Sequence, residues 1–267
     1  GVSSGIIVMI RFFFSIIITM VFSLFGKTSF RVTKKQVLHL AIFGISGSGL
    51  TAYFLNTSYL YIPVGLATMF HFSYPLVVTI IMVVLFKEKL TFRKYLALLL
   101  SGVGLVLMAD FKGGLSVTGV IFALLSGITY ACYIVAMKKS AFSTLPPFII
   151  IFYVSVFCFL TSVMENVLNG TFVLPKQACI WINLFVLSLF STILAMSLLT
   201  FGVKAIGAIN ASVINMIEPL TSIILGSVIF NERLSWPSIY GCILMVVSVL
   251  LITFGRTCET AQYRTNC

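Results

Sequence analysis

Long apolar runs separated by short polar breaks dominate the pattern of this chain. A helix needs roughly 20 mostly apolar residues to cross the hydrocarbon core of a bilayer, and it satisfies its own backbone polar groups there. Nine apolar runs are present, at 2–25, 37–55, 64–86, 95–109, 117–137, 148–168, 180–202, 210–230 and 238–254. The pattern predicts an all-α, polytopic membrane protein with nine spans present, of which the fourth is short.

The composition agrees with a membrane protein and excludes several other classes. Hydrophobic residues make up 60% and charged residues 9%, against about 45–50% and about 25% in soluble domains. A secretory signal peptide does not explain the first run, because it is too long and eight more runs follow. The cysteines show no metal-ligand spacing, and no phosphate-binding glycine loop or H-E-x-x-H motif is present. ATP-driven transport and metalloprotease chemistry are disfavoured, and no metal or cofactor is expected.

Basic residues are distributed unevenly between the two sides of the predicted spans. Thirteen lie in alternate loops that share one side, and three lie on the other side. The larger group consists of Lys27, Arg31, Lys34, Lys35, Lys87, Lys89, Arg93, Lys94, Lys138, Lys139, Lys204, Arg256 and Arg264, and the smaller of Lys112, Lys176 and Arg233. Because Lys and Arg near helix ends resist translocation, the larger group and the tail at 256–267 are predicted to be cytoplasmic. The net charge of +11 is then explained by the basic residues that set the orientation of the spans, and it also attracts anionic lipid. No nucleic-acid partner is expected.

An internal repeat relates the two halves of the chain at a shift of 144 residues. The third run then aligns without a gap on the eighth, and its matches include Ala67 with Ala211, Pro75 with Pro219, Ile80 with Ile224, and Glu88 with Glu232. The same shift carries the helix at 117–137 to a position before residue 1, so one further helix of about 25–30 residues is expected there. The prediction is a ten-helix fold of inverted five-helix repeats, with the first repeat at 1–111 lacking its first helix and the second at 112–255. The alternative is a true nine-helix protein.

The paired segments "SYPLVVTIIMVVLFKEKL" and "IEPLTSIILGSVIFNERL" resemble the two halves of the EamA family in the drug/metabolite transporter superfamily. Arg11 in "IRFFFS" and the segment "TGVIFALLSGITYACYIVAMKK" are also similar to that family. The resemblance covers nearly the whole chain, and the absent first helix is its departure from the family pattern. It implies a secondary-active transporter that exports small metabolites, such as amino acids, or drug-like compounds, without specifying the substrate. The short loops favour a bacterial-type plasma membrane.

Glu218 is a carboxylate that the pattern places deep in the membrane. It lies about eight residues into its run, or roughly 12 Å at 1.5 Å per residue, near the middle of a core about 30 Å thick. Because burying a charge there costs about 2.5–3.5 kcal/mol, Glu218 is expected to face a water-filled cavity or a partner, or to be protonated. Pro219 follows it directly, and Pro75 is the equivalent residue in the first half. Both prolines are predicted to bend their helices and to serve as hinges.

Helical spacing groups the polar residues near these prolines into two matching stripes. The second-half stripe is Ala211, Asn215, Glu218 and Ser222, and the first-half stripe is Ala67, His71, Tyr74 and Val78. Inverted-repeat transporters bind their substrate near the midplane between the repeats, so the stripes are predicted to face each other across a substrate cavity. The candidate binding residues are His71, Tyr74, Asn215 and Glu218, with Tyr130 as a further candidate. Alternatively, His71 and Asn215 only hydrogen-bond neighbouring helices, and Tyr130 is a packing residue.

Arg11 is the other charge that the pattern places within the bilayer, and it is also a candidate substrate-binding residue. The sequence leaves open whether its side chain extends to the interface or turns into the bundle. An ion pair with Glu218 would offset the desolvation of both groups. Without that pair, Glu218 is the better candidate for a residue that couples transport to a proton.

Two classes of function remain open from the sequence. The first is a carrier of a small-molecule substrate by alternating access around a midplane cavity, with a proton as the coupling ion. The second is a membrane-embedded enzyme or a structural helical bundle that uses Glu218 as an acid, a base or an interhelical hydrogen-bonding group. The oligomeric state is not predicted.

Overall fold

The computed structural model describes residues 4–26, 30–108, 116–168, 170, 172–230 and 236–265, without the side chains of 4, 108, 222, 223, 226–230 and 254–265. Several residues used in the sequence predictions therefore lie outside the described part. They are Lys27, Lys112, Glu232 and Arg233, together with the side chains of Ser222, Arg256 and Arg264.

The described residues form nine helical spans and no strand. These are α1 (Ser4–Phe25), α2 (Lys34–Ser58), α3 (Val64–Val84), α4 (Phe92–Met108), α5 (Val117–Lys139), α6 (Pro147–Leu168), α7 (Ala178–Ile206), α8 (208–230) and α9 (Trp236–Thr265). Seven of the helices in the described ranges are long and apolar enough to cross a membrane. The predicted all-α fold with nine spans is confirmed, and the short fourth span is α4, with 17 residues.

Four of the spans are interrupted, at positions that the repeat makes equivalent. A π-helical turn occupies Ile45–Gly49 within α2 and Ser188–Leu194 within α7. Helix α3 breaks between Val64–His71 and Tyr74–Val84, and α8 breaks between Ala208–Ile214 and Ile217–Phe230. A shift of 144 residues carries the π turn of α2 into that of α7, and the break in α3 to within one residue of the break in α8. The repeat seen in the sequence therefore extends to irregular backbone.

Each predicted proline bend is a complete break in the helix. Pro75 and Pro219 lie in the first turn of the second segments of α3 and α8, respectively. A proline is best tolerated in a first turn, because its missing N–H has no intrahelical partner there. The carbonyl of Asn215 is not left free by Pro219, since it accepts a hydrogen bond of 3.0 Å from the Glu218 N–H. The sequence thus starts a new helix at each proline.

Equivalent helices of the two halves pack against each other. Helix α4 packs along α9, and α1 packs along α6. The hydroxyls of Ser15 and Ser155 are 2.9 Å apart between α1 and α6. Helix α5 packs instead on α2 and α3 of the first half. A Cβ added at Gly127 of α5 would lie 2.9 Å from the His71 carbonyl oxygen, so glycine permits this close approach to the break in α3.

The crossing of α4 and α9 provides a stability test with a matched control two residues away. A Cβ added at Gly104 would lie 2.8 Å from the Gly241 carbonyl oxygen, whereas a Cβ at Gly102 would meet no atom within 4 Å. Gly104→Ala is expected to lower the free energy of unfolding by about 1–3 kcal/mol through overpacking. Gly102→Ala is expected to be neutral or to stabilise by about 0.5–1 kcal/mol, because alanine favours the helix. Thermal unfolding in detergent measures both, and equal midpoints would contradict the close crossing.

Candidate functional site

A cavity of about 600 Å³ lies between α5, α7 and α8. Most of its lining is apolar, and its polar lining residues are Tyr130 on α5, Ser191 on α7, and Asn215, Glu218 and Thr221 on α8. The cavity continues along α7 to Ile206 at the end of that helix. The same ends of the spans carry Lys34, Lys138 and Lys204, and this side of the bundle is called the basic side below. The cavity therefore extends from the middle of the bundle to the basic side.

Glu218 reaches this cavity because the break in α8 starts a new helix beside it. It lies in the first turn of the segment Ile217–Phe230 and is exposed. The N-terminal turn of a helix carries unsatisfied N–H groups and a partial positive charge, which stabilise a nearby carboxylate. The interrupted helix thus supplies, within the membrane-spanning part of the chain, an electrostatic environment that a continuous helix lacks.

Tyr74 connects the two halves behind the cavity wall. Its side chain is fully buried, and its hydroxyl accepts a hydrogen bond of 2.9 Å from the Asn215 side-chain amide. Its ring meets the Tyr130 ring edge to face, with centroids 4.8 Å apart and an interplanar angle of 90°. Tyr74 therefore holds two cavity-lining side chains, one on α5 and one on α8, without lining the cavity itself.

His71 also lies behind the cavity rather than in its wall. Its Nδ1 is 3.0 Å from the Ser126 hydroxyl, and its ring centroid is 5.4 Å from that of Tyr130. The first-half stripe is thus covered by α5, while Asn215 and Glu218 of the second-half stripe line the cavity. The two stripes do not face each other across open space as predicted, because α5 packs closely on α3. His71, Tyr74, Tyr130, Asn215 and Glu218 are nevertheless brought together.

Arg11 does not join this group. It is not among the cavity-lining residues, and its guanidinium carbon lies 5.2 Å from the centre of the Phe12 ring. Its backbone carbonyl accepts a hydrogen bond of 2.7 Å from Ser188 in the π turn of α7. Its Nε is buried without a hydrogen-bond partner among the described residues. In the described part of the chain, the observed ion pair joins Lys94 to Glu88 at 3.8 Å, not Arg11 to Glu218.

The repeat explains why Glu218 is accessible and its counterpart is not. The wall of the cavity on α7 and α8 is equivalent to the face of α2 and α3 that α5 covers. Thr51 on that face contacts the Thr129 hydroxyl of α5 at 2.7 Å, and its equivalent, Ala195, lines the cavity. Glu218 likewise occupies the position equivalent to the fully buried Tyr74. The sequence analysis did not predict that α7 forms part of the cavity wall. Only the 144-residue repeat, which makes α7 equivalent to the face of α2 that packs on α5, could have indicated it.

Two inverted repeats, each with a broken helix, and a cavity at the break are the architecture of secondary transporters. The fold and site therefore define a polytopic helical membrane protein with this arrangement. The sequence profile of the EamA-like transporter family matches residues 1–109 and 117–254. The chain belongs to this family, in agreement with the resemblance seen in the sequence, and it is a multi-pass membrane protein.

Similar proteins agree with this assignment. "Uncharacterized transporter sll1319" of Synechocystis sp. is 26% identical over 210 residues, which are 76% of this chain and 62% of that relative. "Uncharacterized transporter YvbV" of Bacillus subtilis is 26% identical over 209 residues, 75% of this chain and 67% of the relative. The chain thus spans less than two thirds of the Synechocystis protein. A protein crystal structure with 19% identity has the same fold, with a TM-score of 0.81 over 95% of this chain and 89% of the other.

Proposed function

We propose that this protein is a secondary-active carrier that exports small metabolites, such as amino acids, or drug-like compounds by alternating access. The observation that supports this most directly is the exposure of Glu218 to a cavity beside the break in α8. A structural bundle has no need of a carboxylate in such a cavity, because a charge within the membrane is costly. The transporter names of the relatives support a carrier over a membrane-embedded enzyme.

The chemistry of the cavity favours small amphipathic substrates. Its volume of about 600 Å³ lies within the range of about 300–1,000 Å³ that is common for small-molecule sites. Apolar side chains from α7 and α8 form most of the wall, while Asn215 and Glu218 provide hydrogen-bonding groups at one end. A substrate with an apolar body and a polar or cationic group would match both parts.

The inverted repeats suggest how access could alternate. In such proteins the two halves exchange conformations between the states that open to opposite sides. The hydrogen bond between Tyr74 and Asn215 links the halves in this structure. Because Tyr74 is equivalent to Glu218 and Asn215 to His71, the counterpart of this bond is a contact between Glu218 and His71. We expect the contact between Glu218 and His71 in the state that opens to the opposite side. His71 would accept the proton carried by Glu218 there.

Replacing His71 tests this exchange. His71→Leu is expected to slow transport by about tenfold, because Glu218 would lose a hydrogen-bond donor to a charged group in one state. Ser126→Ala removes the hydroxyl that contacts His71 in the present structure, together with its local hydrogen bond to the Ala123 carbonyl, so transport is expected to stay near the parent rate or to rise. Both rates are measured per amount of folded protein in the membrane. Equal losses in the two variants would indicate a purely structural role for His71.

The orientation proposed here places the basic side and the C-terminus in the cytoplasm of a bacterial-type cell, in the plasma membrane. The cavity would then open inward, as an exporter requires for substrate loading. Cysteine labelling from the two sides of right-side-out and inside-out vesicles determines the orientation directly.

A transport assay with the purified protein tests the proposed activity. The protein is reconstituted into liposomes, and a panel of amino acids, nucleosides and cationic dyes is offered with and without a pH gradient. At least one compound is expected to move with saturable kinetics, faster when the gradient is imposed. Movement of no compound, or equal movement in protein-free liposomes, would contradict the carrier.

A further inference from the structure

A second cavity, of about 400 Å³, lies between α1, α2 and α6. It is lined near the ends of these helices that lie away from the basic side, and its polar residues are Tyr53, Asn56, Thr57, Thr161, Ser162 and Glu165. No residue that lines the Glu218 cavity also lines this one. The two cavities are therefore separate, and this cavity has no role in the carrier mechanism described above.

Two threonine hydroxyls in this cavity can accept hydrogen bonds but have already donated their own. Thr57 donates to the Tyr53 carbonyl at 2.8 Å. Thr161 donates to the carbonyls of Phe157 and Cys158 at 3.1 and 3.0 Å. A hydroxyl has a single proton and two lone pairs, so the remaining capacity of both groups is that of an acceptor. The part of the cavity beside Thr57 and Thr161 is thus better suited to a ligand that carries N–H donors than to an anion.

Glu165 provides a negative charge, which would attract a cationic ligand with N–H donors. An ionised carboxylate only accepts hydrogen bonds, and the side chain is half-buried in the cavity wall. Within the described ranges, no Lys or Arg forms an ion pair with it. The partly exposed ring of Tyr53 lies in the same wall, and the face of an aromatic ring attracts a cation.

The repeat indicates that the fold itself does not require this carboxylate. A shift of 144 residues makes Glu165 equivalent to Val21 of α1, which is exposed. The same shift makes Leu60, in the wall of this cavity, equivalent to Lys204 on the basic side, whose ammonium group donates to the Leu145 carbonyl. The equivalent position in the other half thus has a basic residue and no carboxylate. The two equivalent regions therefore differ in charge.

We propose that this cavity is a binding site for a small protonated primary or secondary amine. The ammonium N–H groups would donate to the Glu165 carboxylate and to the hydroxyl oxygens of Thr57 and Thr161, with the Tyr53 ring beside the charge. Gly49 keeps this space open, because a Cβ there would lie 3.3 Å from the Thr161 hydroxyl oxygen.

Binding of n-butylammonium to the full chain in lipid nanodiscs, followed by ligand-observed saturation-transfer NMR, tests this site. Saturable binding is expected, and Glu165→Gln should raise its Kd by about tenfold, because the amide oxygen can still accept a hydrogen bond but the negative charge that strengthens it is lost. Thr57→Val should raise it by about threefold through the loss of one neutral acceptor. Tetramethylammonium, which has no N–H group, should bind more weakly, and n-butanol should not compete.

The controls separate this site from the Glu218 cavity and from misfolding. Because n-butylammonium also matches the Glu218 cavity, the Kd that depends on Glu165 is measured in the Glu218→Gln background, where it should be the same as in the parent. Thermal unfolding should show that all variants are folded. The proposal is overturned if folded Glu165→Gln binds as tightly as the parent, if Glu218→Gln abolishes binding, or if n-butanol competes equally. Because binding is measured without transport, a failed transport assay would not affect this result.

Discussion

Glu218→Gln is expected to reduce transport driven by a pH gradient by about a hundredfold, because glutamine cannot carry a proton through the cavity. Exchange of labelled for unlabelled substrate, which needs no net proton movement, is expected to continue within about threefold of the parent rate, since glutamine keeps a hydrogen-bonding group at this position. The measurement compares the two modes in liposomes, with a pH-sensitive dye inside to follow proton flux.

Glu88→Gln is the matched control for this substitution. Glu88 lies at the basic side, where its carboxylate pairs with Lys94 at 3.8 Å, away from the cavity lining. A partly exposed ion pair at the surface contributes about 0–1 kcal/mol to stability, so the variant should fold and transport normally. Loss of driven transport in both variants, or in neither, would show that Glu218 has no special role in coupling.

Thr221→Trp is expected to stop both modes of transport, to about a tenth of the parent rate or less, by filling the cavity. Thr221 lines the cavity one turn beyond Glu218, and an indole ring there would occupy the space next to the carboxylate. The rate of exchange per folded protein is the measurement, because exchange does not depend on the proton.

Ile224→Trp is its control on the same segment of α8. Ile224 is 46% exposed and is not among the cavity-lining residues. Its surroundings are the outside of the described bundle, so tryptophan there should leave exchange nearly unchanged. If both tryptophan variants were equally active, the space beside Glu218 would not lie on the substrate path.

The fold could be predicted from the sequence because lipid imposes a strong pattern. Each span needs its own apolar run, and the match of Pro75 with Pro219 in one ungapped register revealed the repeat. The sequence predicted bent helices, whereas the structure has full interruptions at 72–73 and 215–216. The reason is that a proline starts a helix more readily than it bends one. The π turn in "SLFSTIL" has no glycine or proline to mark it, whereas "ISGSG" in the other half is rich in glycine.

The sequence predicted only part of the residues around the cavity, because it included Arg11 and missed the α7 wall, and it did not indicate which residues line the cavity. His71 and Glu218 occupy similar positions in their stripes, yet one is covered by α5 and the other lines a cavity. Which stripe is covered depends on the packing of α5 through Gly127, which the stripe pattern does not contain. The helix expected before residue 1 stays a prediction.

Labelling of Thr221→Cys in a cysteine-free background is the most direct test of the central proposal that a cavity beside Glu218 is reached from alternate sides. A membrane-impermeant maleimide is expected to label it from the basic side, and labelling from the opposite side is expected to appear under transport conditions. Ile224→Cys should remain unlabelled from either side. Absence of Thr221→Cys labelling from both sides, with the protein folded, would contradict a carrier built around Glu218.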